Sequence, residues 1–193
     1  MIPIFSLWLL VGYLVLAFFI VGERLLRQTD SAKTLKAGDY DKKSTALVGA
    51  GFGVGLLMPL GLDAAGVLLF PIAPVEGIVA LLVMLLGLCL RLWAAATLGR
   101  YYSRTLLVAN DQKLVTWGPY AKIRHPGYLG SMLLWSGFGI LSSNLAVALL
   151  LPVMFVAIYL YRISVEEKML GQQLGDDYAE YRERTRKVLP FLY

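Results

Sequence analysis

Charge, cysteine and histidine are all scarce in this chain. Only 16% of its 193 residues are charged, whereas 58% are hydrophobic, which is far from the balance of a soluble domain. A single cysteine, Cys89, excludes an internal disulfide. We interpret it as a packing residue, because no partner side chains for a metal site accompany it. The composition therefore predicts an integral membrane protein.

Apolar runs give the number of membrane spans. A helix needs about 20 apolar residues to cross the hydrocarbon core of a bilayer, and three runs reach this length with their flanks. Two shorter runs are separated only by Ser142–Asn144, which predicts a tight helical hairpin. We therefore predict an all-α fold with five transmembrane helices, from apolar runs at 2–22, 46–62, 78–90, 128–141 and 145–161.

The distribution of Lys and Arg predicts the topology. Basic residues gather between the first and second runs, between the third and fourth, and after the fifth. Because positive loops stay in the cytoplasm, the N-terminus is predicted outside and the C-terminus inside. The first run has its positive flank after it, so we expect a retained span rather than a cleaved signal peptide. Arg91 does not fit this pattern, and we expect it to snorkel from a helix end.

Net charge gives no sign of nucleic-acid binding. The excess of +5 is explained by the cytoplasmic loops, and no nucleic-acid motif is present. The run GAGFGVG, residues 49–55, superficially resembles a phosphate-binding loop, but it lies inside an apolar run rather than between a strand and a helix. We interpret its Gly49/Gly53 and Gly51/Gly55 pairs as small residues for close helix packing.

Polar segments on the predicted cytoplasmic side could carry chemistry. The only histidine, His125, lies among turn signals that predict irregular backbone, which at membrane level must be buried in protein or line a wet cavity. Arg162 and Glu166 are four residues apart and share a helix face, whereas Glu167 points about 100° away, toward water or a cap. Taken singly, Arg162 and Glu166 also fit a helix salt bridge, and His125 fits a loop histidine whose hydrogen bonds are satisfied.

Taken together, the motifs resemble one family. The pattern LVxxGPYxxxRHPxYxG is followed by EExxL, LGxxYxxY and LP. This combination, within residues 99–190, resembles the isoprenylcysteine carboxyl methyltransferase family and its relatives among membrane phospholipid methyltransferases. The resemblance implies methyl transfer from S-adenosylmethionine in a cytoplasmic pocket formed by the C-terminal half. We therefore divide the chain into N-terminal spans, 1–98, and a catalytic half with its cap, 99–193.

The resemblance also implies roles for individual residues. It places Arg162 against the substrate and Glu166 against the cofactor, with Glu167 as the neighbouring acid of the catalytic set. His125 would hold the carboxylate of the cofactor or close the pocket over it. The implied cofactor-binding residues are Gln112, Lys113, Leu114, Val115, Tyr120, His125, Pro126, Gly127, Tyr128, Glu166 and the cap residues Tyr178 and Tyr181.

The implied acceptor is the α-carboxylate of a lipidated cysteine, reached from the bilayer. Its pKa of about 3.5 leaves it ionised at neutral pH, so it needs a guanidinium to hold it and no general base. An amine of a phospholipid would instead need a base, with Glu166, Glu167 or a tyrosine as candidate. The sequence also leaves open an NADPH-dependent sterol reductase and a non-enzymatic membrane scaffold or transporter. No metal is expected.

Overall fold

The computed structural model describes residues 7–26, 41, 43–102 and 114–188. Regular structure within these ranges is helical, with no strand, which confirms the all-α prediction. Short 3₁₀ helices cover Gly99–Tyr101 and Gly118–Ala121. The α-helices are α1 (Leu7–Leu26), α2 (Ser44–Ala65), α3 (Pro74–Leu98), α4 (Pro126–Leu141) and α5 (Leu145–Arg184).

Four of the described helices are long and apolar enough to cross a bilayer: α1, α2, α3 and α5. The chain is therefore an integral membrane protein. Helix α4 has 16 residues, fewer than the roughly 20 that a full span needs, so a fifth span stays a prediction. Helix α5 has 40 residues, and its part beyond about residue 164 extends past the length that the hydrocarbon core requires.

Side chains that accept backbone N–H groups define where the helices begin. The Asp41 carboxylate accepts the backbone N–H of Thr45 at the start of α2, and Glu76 accepts that of Ala73 before α3. The Asn144 side chain accepts two N–H groups in the first turn of α5. Each bond satisfies a donor that an isolated helix end would leave unpaired.

A three-residue turn joins α4 to α5, which confirms the predicted helical hairpin. Helix α4 ends at Leu141, and Ser142–Asn144 precede α5. Asn144 donates from Nδ2 to the Val67 carbonyl oxygen at 2.8 Å, and its backbone pairs with Leu69. These contacts attach the hairpin to the α2–α3 connection.

Close contact between α3 and α4 depends on glycine. A Cβ added at Gly130 would lie 2.7 Å from the backbone nitrogen of Arg91 and from the carbonyl oxygen of Gly87. One added at Gly137 would lie 2.6 Å from the Ala80 carbonyl oxygen. Because these neighbours are backbone atoms, a side chain at either position would force the helices apart.

One of the two glycine pairs predicted to allow close packing of α2 does so. A Cβ at Gly55 would lie 2.5 Å from the ring of Trp135, and one at Gly51 would lie 2.6 Å from a side chain of α5. A Cβ added at Gly49 or Gly53 would meet no atom of the described residues within 4 Å, so the packing role predicted for this pair is wrong. Residues two positions apart on a helix point to nearly opposite sides, so Gly49 and Gly53 face away from the helices that Gly51 and Gly55 contact.

Gly175 divides α5 into a long apolar part and a short polar part. Its φ of 52° and ψ of −125° are non-helical, and the positive φ favours glycine over residues with a Cβ. The short part, which we call the cap helix, comprises residues 176–184. The change of direction brings Tyr178 and Tyr181 of the cap helix over the polar loop before α4, where Tyr181 donates to the Tyr120 carbonyl oxygen at 2.7 Å.

Candidate active site

A cavity of about 460 Å³ lies among the helices and the loop before α4. This volume falls in the range of roughly 300–1,000 Å³ that small-molecule sites occupy. Ten residues of the predicted site contribute to its lining. They are Leu114, Val115, Tyr120, His125, Gly127, Tyr128, Arg162, Glu166, Tyr178 and Tyr181.

The remaining predicted site residues either do not line the cavity or fall outside the described ranges. Pro126 is the first residue of α4 and is buried, but it does not line the cavity. Glu167 is also absent from the lining. Gln112 and Lys113 lie outside the described residues. Within the described ranges, no group of three or more His, Cys, Asp or Glu side chains could hold a metal ion, and the absence of a metal stays a prediction.

Arg162 is held on two sides. Its Nε donates to the Tyr128 hydroxyl at 3.0 Å, and its Nη1 donates to the hydroxyls of Ser44 and Thr45, both at 3.0 Å. The carboxylate of Asp41 lies 3.6 Å from the same Nη1. The side chain is 4% exposed, so this guanidinium is fixed in a buried position at the cavity wall.

Glu166 lies one helical turn beyond Arg162 and presents a carboxylate oxygen that lacks a close donor. Among the described residues, Oε2 is buried with no hydrogen-bond partner, and Nδ1 of His125 lies 3.9 Å from it. The hydroxyl of Tyr178 is likewise buried without a partner in the described part of the chain. Buried polar atoms are normally satisfied, so two such atoms at one cavity indicate a place for a polar ligand.

Glu167 of α5 forms ion pairs with the loop before α4 and does not face water, contrary to one of the two predicted positions. It accepts from Nε of Arg124 at 2.9 Å and from Nε2 of His125 at 3.3 Å, and Nζ of Lys187 lies 3.5 Å away. Burial raises its pKa, but the hydrogen bonds from His125 and Arg124 outweigh this effect and lower the pKa to about 2. Glu167 is therefore ionised at neutral pH and fixes the His125 ring.

His125 lines the cavity and is buried rather than exposed at a loop surface, while its role toward a cofactor stays a prediction. It is 4% exposed, and its ring stacks on that of Tyr128 with centroids 5.7 Å apart. Backbone bonds hold the segment, because the N–H groups of Arg124 and His125 donate to the carbonyl oxygens of Arg186 and Lys187. The chain after the cap helix thus fixes the histidine loop.

Three tyrosines that line the cavity, Tyr120, Tyr178 and Tyr181, keep their protons at neutral pH. Burial and the charge of Glu166 raise the pKa of Tyr120, and burial and Glu167 raise that of Tyr178. Burial, partly offset by Arg124, raises the pKa of Tyr181 to about 12. These phenols can donate hydrogen bonds but are poor general bases.

Several cavity residues were not predicted from the sequence, and three of them, Glu23, Arg91 and Tyr102, form one polar network. Nε of Arg91 donates to Oε1 of Glu23 at 2.7 Å, its Nη2 donates to the Tyr102 hydroxyl at 2.9 Å, and that hydroxyl also bonds Glu23. Arg91 therefore does not snorkel from a helix end, because its charge is neutralised inside the protein. The available signal was an acid and a base that each directly follow an apolar run, since ionisable residues in membrane helices are usually paired and functional.

Both halves of the chain contribute to the cavity. Glu23 of α1 and Thr45, Val48 and Phe52 of α2 join the C-terminal residues in its lining. The cavity is therefore not confined to the C-terminal half that was predicted to form the pocket, because α2 packs along α5 and reaches Arg162. The division of the chain between residues 98 and 99 stays a prediction.

Fold and cavity together define a class: a helical membrane protein that encloses a cavity with charged lining residues among apolar helices. The model of the isoprenylcysteine carboxyl methyltransferase family matches residues 79–172 of this chain. The resemblance predicted from the motifs is thereby confirmed, and the match extends the similarity into α3.

Individual relatives agree with this family. Protein-S-isoprenylcysteine O-methyltransferase B of Arabidopsis thaliana is 35% identical over 115 residues, which are 58% of this chain and 58% of that relative. O-methyltransferase A of the same plant is 29% identical over 183 residues, covering 92% and 90%. The solved structure of a eukaryotic intramembrane Ras methyltransferase, isoprenylcysteine carboxyl methyltransferase, has a TM-score of 0.61 and 23% identity.

Coverage differs among these relatives. This chain covers less than two thirds of O-methyltransferase B, and 64% of the chain in the solved structure, although 92% of this chain is matched there. The likeness to the solved structure shows the fold. It also shows that the first two helices, which carried no usable resemblance in the sequence, belong to the shared architecture.

Proposed function

We propose that this protein transfers a methyl group from S-adenosylmethionine to the α-carboxylate of an isoprenylated cysteine. One observation carries the proposal: a fixed guanidinium, Arg162, and a carboxylate with an unpartnered oxygen, Glu166, lie one helical turn apart in one cavity. A cationic donor and an anionic acceptor need opposite charges side by side. The names of the relatives above favour this transfer over a reductase or a scaffold.

The residues present fit the methyl donor. When bound, S-adenosylmethionine supplies an electrophilic methyl group on a cationic sulfonium. The buried Oε2 of Glu166 can accept from an ammonium or hydroxyl group, and the Tyr178 hydroxyl can donate or accept. His125 and Tyr120 lie at the same cavity, where the imidazole can bind a carboxylate of the donor. These side chains would hold the donor and exclude water from it.

Arg162 would hold the acceptor. The carboxylate of a prenylcysteine is ionised at neutral pH, so no residue has to remove a proton from it. What the site must supply is orientation, and the bonds from Arg162 to Tyr128, Ser44 and Thr45 prevent the guanidinium from rotating. With Nε and Nη1 bonded to the protein, Nη2 of the guanidinium would direct one carboxylate oxygen toward the donor.

An apolar groove between α2 and α5 suits the lipid part of this acceptor. It is lined by side chains of both helices, including Leu47 and Val54 of α2 and Met154 and Ile158 of α5. Ile158 lies one turn before Arg162 on the same helix face. A chain of apolar carbons in this groove would leave its polar end at the guanidinium.

We also propose that the cavity and the C-terminus face the cytoplasm. The support is the predicted alternation of basic loops. The test replaces Cys89 and introduces single cysteines at Lys122, Arg182 and Ser143 for labelling in sealed vesicles. Lys122 and Arg182 should react from one side and Ser143 from the other. Reaction of Lys122 and Arg182 from opposite sides would exclude a shared site.

The deciding experiment is methyl transfer by the purified protein. Labelled S-adenosylmethionine is supplied with N-acetyl-S-farnesylcysteine, phosphatidylethanolamine or a sterol. We expect label on the prenylcysteine, released as methanol in alkali because it is an ester. Alkali-stable label on phosphatidylethanolamine would instead indicate amine methylation, for which Glu166 would be the candidate base. No label on any acceptor would refute methyl transfer to these substrates.

A further inference from the structure

Asp41, in the segment before α2, is a buried acid that contacts Arg162 without lining the cavity. Asp41 is 2% exposed and Ser44 is fully buried. Oδ1 of Asp41 accepts from the hydroxyls of both Ser44 and Thr45, and these hydroxyl oxygens in turn accept from Nη1 of Arg162. The carboxylate, two hydroxyls and one guanidinium nitrogen therefore form one continuous network.

We infer that Asp41 is a positioning residue for Arg162, a role that rests on the proposed function. Asp41 does not line the cavity, whereas Arg162 and Thr45 do. Its carboxylate orients the two hydroxyls, because each must donate to Oδ1 and so presents a lone pair to Nη1. With Nε bonded to Tyr128, the plane of the guanidinium is fixed at two points.

Asp41 also supports Arg162 through its negative charge. A guanidinium buried among apolar helices is costly unless an anion lies nearby. During the reaction an anionic carboxylate becomes a neutral methyl ester, so Arg162 loses the negative charge of its substrate at that step. Asp41, 3.6 Å from Nη1, keeps the arginine neutralised before the acceptor binds and after the ester forms. The arginine thus holds one geometry through the cycle.

Helix capping is the structural role from which this one must be separated. Asp41 also accepts the backbone N–H of Thr45 at 3.2 Å. Asparagine can accept that bond equally well but carries no charge, so Asp41→Asn preserves the cap and removes the counter-ion. Glu76 offers a matched control, because it caps the start of α3 through the Ala73 N–H and is exposed.

The test is a double-mutant cycle on full-length protein. Wild type, Asp41→Asn, Arg162→Gln and the double variant are compared for kcat on N-acetyl-S-farnesylcysteine, for S-adenosylhomocysteine affinity and for thermal unfolding. Thr45→Val provides a second way to break the network, and Glu76→Gln is the control. We expect Asp41→Asn to lower kcat about 10- to 100-fold, because small misplacements at reacting atoms have effects of this size.

For Asp41→Asn we expect S-adenosylhomocysteine affinity within about twofold of wild type and a lower unfolding temperature, because the buried guanidinium loses its counter-ion. The double variant should be no slower than Arg162→Gln alone, because both changes remove the same contact. Additive losses, an unchanged kcat, or a parallel loss of S-adenosylhomocysteine affinity would overturn the role of Asp41. Absence of wild-type turnover on the prenylcysteine would instead refute the proposed function, and this role with it.

Discussion

Replacement of Glu166 by glutamine tests how the cavity distinguishes the methyl donor from its product. The substitution removes the negative charge and preserves the size of the side chain. S-adenosylmethionine carries a sulfonium charge that S-adenosylhomocysteine lacks, so the two ligands report separately on charge and on shared contacts. We expect Glu166→Gln to weaken binding of the sulfonium ligand more than binding of the thioether.

The magnitude follows from the surroundings of the carboxylate. Its Oε2 is buried and has no hydrogen-bond partner among the described residues, while the side chain as a whole is 24% exposed. Two unit charges about 4 Å apart interact by about 4 kcal/mol at an effective dielectric constant of about 20. Partial exposure reduces this value toward the roughly 1.5–3 kcal/mol of a hydrogen bond to a charged group. The affinity for S-adenosylmethionine should fall about 10- to 150-fold.

Titration calorimetry of detergent-purified protein with both ligands measures the two affinities. Glu180→Gln is the matched control, because Glu180 lies on the same helix but is exposed and paired with Arg184. An equal loss for both ligands would show that Glu166 binds a group common to them and would refute recognition of the sulfonium. Unchanged affinities for both would remove Glu166 from the donor site.

Three further changes test separate parts of the structure. Arg162→Lys keeps the charge but loses the planar guanidinium that Tyr128, Ser44 and Thr45 hold in place, so turnover on a prenylcysteine should fall about 100-fold while S-adenosylhomocysteine affinity stays within about twofold; near-normal turnover would contradict the orienting role of Arg162. Gly130→Ala should lower stability by about 1–3 kcal/mol in thermal or denaturant unfolding, because its Cβ meets the backbone of α3, whereas Gly53→Ala should be neutral or stabilising; equal effects would argue against close α3–α4 contact. Burial raises the pKa of Glu167, but its hydrogen-bonded neighbours lower it from the usual 4.5 to about 2, so its stabilising contribution is complete above about pH 4.5 and lost as pH falls toward 2. Glu167→Gln should therefore flatten the acid-unfolding curve between these pH values, and an unchanged curve would show that the ion pair contributes nothing.

Local periodicity was sufficient to predict one side of the site. Arg162 and Glu166 share a face because they are four residues apart, and the cavity does contain both. The hairpin followed from a three-residue polar turn between two apolar runs. Such features depend on neighbours in sequence, and the sequence displays those neighbours directly.

Contacts between residues far apart in the sequence could not be predicted from local spacing. Asp41 meets Arg162 across 121 positions, and Glu23 meets Arg91 across 68, so no spacing rule links them. The orientation of Glu167 also depended on the path of the loop that carries Arg124. In each case helix packing decides the partner, which is why the N-terminal helices were not expected to line the cavity.

The shortness of α4 determines how deep the site lies. Its 16 residues are about 24 Å long, compared with a hydrocarbon thickness of about 30 Å. If α4 is the predicted fifth span and the Ser142–Asn144 turn lies near one membrane surface, His125 at the other end of α4 would lie several ångströms below the opposite headgroups. The bilayer would then thin locally around this helix or polar groups of the loop would enter it, at a cost of a fraction of a kcal/mol per ångström of mismatch. An amphiphile that diffuses within the leaflet can therefore bring its polar end to the cavity without leaving the membrane, and turnover should vary with the acyl-chain length of the surrounding lipids.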